Sequence, residues 1–95
     1  MLYALMCTDK PNSLQIRLDT RPDHLVFLES LGDAVKFAGP FLGEDGKPCG
    51  SMVMVEADSK EATMAIAERD PYAKKGLFSA VEARPWAWAV KNPEA

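Results

Sequence analysis

A chain of 95 residues sits near the lower limit for one self-supporting core, which excludes two domains and leaves residues 1–95 as a single unit. With 47% apolar and 26% charged residues, it has the composition of a folded globule rather than a disordered tail. Its net charge of −3, with acids and bases interspersed, argues against a nucleic-acid partner, and no apolar run approaches the roughly 20 residues of a membrane helix.

Met1 to Met6 carries no basic leader and is too short for a signal-peptide core, so a cytoplasmic location is expected. Two cysteines, Cys7 and Cys49, are too few for a disulfide framework and read as reduced thiols.

Leu2 to Thr8 is a nearly continuous apolar run closed by Asp9-Lys10-Pro11-Asn12, a cluster of turn residues. A first strand and a loop are expected there. From Ser13 the spacing changes to threes and fours, with Leu14, Leu18, Leu25, Leu28 and Leu31 recurring as an amphipathic helix requires. Pro22 interrupts the pattern, and Thr20 with Asp23 resembles a capping box. The reading is therefore a helical turn at about 13–19 and a main helix at about 21–31, stopped by Gly32.

Ala34 to Leu42 and Ser51 to Ala57 read as a second and a third strand, joined by the polar turn Gly43-Glu44-Asp45-Gly46-Lys47-Pro48. Ser59 is placed to cap a helix carrying Ala62, Ala65 and Ile66 on one stripe, and Asp70-Pro71 ends it. A fourth strand follows at about 78–90. The order strand, helix, strand, strand, helix, strand predicts an α+β fold: a four-stranded antiparallel sheet with both helices on one face. Because Leu2–Cys7 and Met52–Val55 alternate little, the opposite face also needs cover. A homodimer through that open face, drawing on some of Leu5, Cys7, Met52, Met54, Trp86 and Trp88, is the expected cover.

His24 is the single histidine and the one side chain whose ordinary range suits proton exchange near neutral pH. In an unbroken helix Arg17, Arg21 and His24 lie at i, i+4 and i+7, so two cations flank one imidazole. Such a face suits a small anionic or phenolic ligand; its plain alternative is a solvated helix edge. Asp70, in Asp70-Pro71-Tyr72, is placed to orient an imidazole, unless it serves only as a helix stop. Gly39-Pro40 and Gly50-Ser51 mark two adjoining strands where a ligand can approach the backbone or where turn chemistry alone is at work. Ser51 is a hydrogen-bond donor at most, since no nucleophile elbow surrounds it. No metal-ligand spacing or phosphate loop is present, so neither a metal nor another cofactor is expected. Trp86 and Trp88 read as dimer or core contacts rather than a stacking platform.

The combination Ser13-Leu14, Arg17-Leu18, Arg21-Pro22, His24-Leu25, Ala38-Gly39-Pro40, Gly50-Ser51 and Asp70-Pro71-Tyr72 closely resembles the YciI-like (YCII-related) family of small bacterial proteins. The resemblance spans the first strand through Pro85-Trp86. It implies a ferredoxin-like βαββαβ fold, dimerisation through the sheets, and a pocket where His24 and Asp70 form an acid/base pair. By the same carry-over Arg17, Arg21 and Ser51 are pocket residues, with Gly39, Pro40 and Tyr72 beside them. One branch of the family is a dehydrochlorinase acting on a chlorinated hydroxyquinol without metal or organic cofactor. The expected function is a cofactor-free, lyase-like acid/base enzyme. A non-catalytic dimeric module for a metabolite or protein partner, and a cofactor-independent oxygenase, are the alternatives.

Overall fold

The computed structural model describes residues 1–94. In chain order the elements are β1 (Leu2–Asp9), α1 (Leu14–Ser30), β2 (Val35–Leu42), β3 (Pro48–Glu56), α2 (Lys60–Arg69), α3 (Pro71–Lys74) and β4 (Phe78–Trp86). The strands form one antiparallel sheet in the order β2-β3-β1-β4, the ferredoxin-like α+β arrangement that the sequence predicts. No helix among the described residues is long and apolar enough to cross a membrane.

Alternation along the two central strands decides which side is the core. Tyr3, Leu5 and Cys7 of β1 and Val53 and Val55 of β3 are buried on the helix-covered face, joined by Ala67 of α2 and Ala83 of β4. Leu5 and Cys7 are thus core residues, not part of the open face. The residues between them, Ala4 and Met6, pair with Met54 and Met52 and point to the opposite side.

On that opposite side Phe37, in register with Met54, meets Trp86 and Trp88 edge to face at ring-centroid distances of 6.0 and 5.7 Å. The two indoles meet each other at 5.0 Å. Met54 beneath this cluster is only 1% exposed. Trp88 lies beyond the end of β4, which stops at Trp86 rather than running to residue 90.

The first helix is one rod. Pro22 lies inside it, so the predicted break at residue 20 does not occur. Thr20, expected as a cap, is instead a buried mid-helix residue. Proline deletes one hydrogen bond, from residue 22 to the carbonyl of Leu18. Leu18, whose carbonyl loses that partner, is 48% exposed, and a continuous helix keeps Arg17, Thr20 and His24 on the buried side. Leu31 is the C-cap, and Gly32 follows with φ +58°, the left-handed stop expected of glycine.

In α2, Ser59 caps as expected, accepting from the Ala62 N–H at 3.0 Å. The buried stripe is Thr63 and Ala67, whereas Ala65 is exposed. Ala62 and Ile66 are half-buried, Ile66 packing against the core, so the buried stripe is turned by about one residue, roughly 100°, from the expected one. Gly50 answers a demand for close approach: a Cβ there would stand 2.5 Å from the carbonyl oxygen of Cys7.

Candidate active site

The helix-covered face of the sheet stops short of β2, and a cleft of about 230 Å³ opens between α1 and the β2–β3 hairpin. Arg17, Arg21 and His24 reach it from α1, Ser51 from β3, and Tyr72 from α3, while Gly39 and Pro40 of β2 form the opposite wall. All eight residues singled out from the sequence are therefore close to one another, Asp70 standing behind His24. No obstruction within 4 Å would meet a Cβ at Gly39, so the structure gives no steric reason for glycine there.

Asp70 occupies the junction between two helices. It is extended, with φ −63° and ψ 131°, as a residue before proline tends to be. It both ends α2 and caps α3, accepting from the Tyr72 N–H at 2.9 Å. The same carboxylate places both oxygens 2.9 Å from Nδ1 of His24, and the two side chains are 91% buried. A carboxylate can only accept, so Nδ1 carries the proton and Nε2 of the neutral ring is left with its lone pair. Nε2 has no protein partner among the described residues and is not sealed from solvent; His24 lines the cleft.

Arg17 is 4% exposed and spends most of its donors on protein. Nε donates to Asp9 Oδ2 at 2.6 Å, and Nη2 donates to Asp9 Oδ1 at 2.8 Å and to Ser51 Oγ at 2.9 Å. Burial opposes the guanidinium charge, but the Asp9 carboxylate outweighs it and holds Arg17 above its ordinary range. In the sequence Asp9 reads only as a turn residue. Its partner eight residues later falls on a helix whose register depends on the loop between, so spacing alone carries no signal for the pair.

Tyr72, 1% exposed, ties the two halves together. Its ring stacks on His24 at 4.0 Å and 19°, and the Arg17 guanidinium lies over it at 4.5 Å. Burial raises its phenol above the ordinary range, with Arg17 opposing and Asp70 reinforcing the shift. Below the site the Cys7 thiol is pushed up to about 12, first by burial and then by Asp70, so it is a neutral core group rather than a nucleophile. Arg21 is exposed at the cleft's mouth, and Leu18 and Leu25 make an apolar lip beside it.

Residues 1–87 match the YCII-related domain model, and the chain belongs to that family. Protein YciI of Escherichia coli is 37% identical over 94 residues, covering 90% of this chain and 96% of that protein. A protein of Haemophilus influenzae is 31% identical over 94 residues, with the same coverage. Among solved structures the chain is similar to 5-chloro-2-hydroxyhydroquinone dehydrochlorinase (TftG) of Burkholderia phenoliruptrix, determined in complex with 2,5-dihydroxybenzoquinone. The TM-score is 0.86 at 35% identity, covering 94% of this chain and 96% of that one.

Proposed function

Starting from membership of the YCII-related family, we propose that this chain is a cofactor-free acid/base enzyme of the lyase type, acting on a small phenolic or otherwise anionic ring compound. The observation that carries the reading is the buried His24–Asp70 pair, with Nδ1 held by both carboxylate oxygens at 2.9 Å and the second ring nitrogen facing a cleft. Asp70 fixes the tautomer and steadies the imidazolium that forms; His24 Nε2 takes the proton. Ser51 and Arg17 hold the oxygen that loses it, Tyr72, Gly39 and Pro40 shape the cleft around the ring, and Arg21 meets negative charge at the mouth. The structural likeness to a dehydrochlorinase supports elimination as the reaction type. In a chlorinated polyhydroxybenzene, one hydroxyl beside the chlorine first ketonises, its proton passing to the chlorine-bearing carbon; the proton of the hydroxyl para to it then goes to Nε2, the ring electrons shift, and the C–Cl bond breaks with its electron pair leaving on chloride. The product is a quinone, and no external oxidant is consumed.

Chloride release from 5-chloro-2-hydroxyhydroquinone, followed with an ion-selective electrode, tests this reading. Release by the wild type that disappears in His24→Asn is the expected result. A wild type that binds 2,5-dihydroxybenzoquinone yet releases no chloride from any chlorinated hydroquinone would favour a binding module instead.

The assembly belongs to the same reading: a second copy covers the open sheet face through Met6, Met52 and the Phe37–Trp86–Trp88 cluster. That face is apolar and aromatic, the composition of a stable two-fold contact.

A further inference from the structure

The guanidinium of Arg17 offers two edges. The side edge, Nε with Nη2, is the one that grips a carboxylate in parallel, and here it is already filled by Asp9 at 2.6 and 2.8 Å. The other hydrogen of Nη2 goes to Ser51 Oγ at 2.9 Å, which half-occupies the end edge. Nη1 makes no hydrogen bond of good geometry among the described residues and is not sealed from solvent, and the Tyr72 hydroxyl near the guanidinium adds to the support of its charge. Ser51 accepts from Arg17 through its oxygen, so its own hydroxyl hydrogen is free to donate. At the end edge two donors on neighbouring groups thus remain for a ligand, the Nη1 N–H beside Nη2 and the Ser51 hydroxyl.

We propose that Asp9 is a positioning residue that, by occupying the fork of Arg17, sets the site to recognise a single charged oxygen, a phenolate or enolate, in preference to a carboxylate. The proposal rests on the reading that the His24 cleft binds a small anionic ring and names the functional group it selects. An unclamped arginine on a helix has several rotamers and would present either edge. Clamped by a carboxylate whose side chain is only 6% exposed, it has one orientation, and a carboxylate ligand finds a single free N–H on the end edge where a parallel two-oxygen grip needs two, whereas one oxygen can accept from that N–H and from Ser51 together. Asp9 touches no ligand in this scheme, and its effect passes entirely through Arg17.

Two measurements test the assignment. The first needs no ligand: in 15N NMR of the wild type, the Nη protons of Arg17 should give separate lines from restricted rotation, while those of exposed Arg21 average. Averaged Arg17 lines would overturn the clamp. The second compares calorimetric affinities for 2,5-dihydroxybenzoquinone and for benzoate, a carboxylate of similar size. The wild type should prefer the quinone, and Asp9→Asn should weaken the quinone about tenfold or more while leaving benzoate nearly unchanged. Equal losses for both probes, or no loss for either, would overturn the proposal. If Asp9→Asn does not fold because Arg17 is left buried and unpaired, Asp9→Glu replaces it. That variant keeps the charge but moves it by one methylene, and the same selective loss is expected. A wild type that binds neither probe would sink the ligand reading and the single-oxygen selection with it, whereas the Arg17 lines would still decide whether Asp9 holds the guanidinium.

Discussion

The ring of Tyr72 lies 4.0 Å from that of His24 and within 19° of parallel to it, while the Arg17 guanidinium lies 4.5 Å from the same ring's centroid. Seven residues of helix separate Arg17 from His24, a rise of about 10.5 Å, and one aromatic ring from α3 contacts both. Its removal should loosen the base and the cation together. Tyr72→Ala is expected to cost roughly 3–5 kcal/mol in urea denaturation, as other buried aromatic truncations do, and Tyr72→Phe well under half of that. An equal loss in the two variants would place the stabilising interaction in the hydroxyl rather than the ring.

The tautomer of His24 follows from Asp70 and can be read directly. In the wild type at a pH where the ring is neutral, 15N shifts should show Nδ1 protonated and Nε2 bare, because both carboxylate oxygens accept from Nδ1. In Asp70→Asn the side-chain amide can donate instead, and the proton should move to Nε2. That variant should lose about 100-fold or more of any proton-transfer activity, the usual span of general-base catalysis, with its thermal transition little changed. A wild-type ring already protonated at Nε2 would contradict the assigned roles.

The strand order and the polar face of α1 were legible because they rest on local patterns: apolar runs broken by Pro and Gly, and cations at i, i+4 and i+7. The single rod of α1 was not. Pro22 is a strong local signal for a break, and it is overridden by tertiary contacts that hold Arg17, Thr20 and His24 against the sheet and α3. The short helix α3 was hidden because Asp70-Pro71 reads as a stop, and nothing local reveals that the stop is also the next helix's cap. Strand parity on β1 was ambiguous for another reason: Leu2 to Cys7 is apolar at every position, so alternation could not say which of Leu5 and Met6 faces the helices. Asp9 was invisible as Arg17's partner, since a contact between a strand end and a helix leaves no periodic trace.

The open sheet face predicts a dimer. Met6, Met52, Phe37, Trp86 and Trp88 lie on it and are all partly exposed, and only Met54 is closed over. A two-fold contact of ordinary size buries about 800 Å² on each copy. Light scattering at low micromolar concentration should give twice the 10.4 kDa chain mass, and Met6→Glu should return it to one chain while retaining the far-ultraviolet circular dichroism. A monomeric wild type would remove the dimer from the proposed function.

Stability should fall steeply in alkali, and Cys7 should account for much of the slope. Its thiol is raised from 9.0 to about 12 in the folded chain, first by burial and next by the Asp70 carboxylate. The unfolded thiol therefore ionises from about pH 9 upward while the folded one stays protonated. Across that window the unfolded state binds fewer protons, so the free energy of unfolding decreases with pH. The contribution is fully present below pH 9 and is lost progressively up to about pH 12, at no more than about 1.4 kcal/mol per pH unit for one group. Tyr72, also raised by burial, adds a slope of the same sign that begins as the pH passes its ordinary value of 10.0, where the unfolded phenol ionises. Urea midpoints measured from pH 8 to 11 should drop less steeply in Cys7→Ala than in the wild type, even though the truncated variant starts from a lower value at pH 8. Parallel pH profiles for the two proteins would mean that the Cys7 thiol ionises as readily folded as unfolded, and that the core beneath His24 and Arg17 admits water.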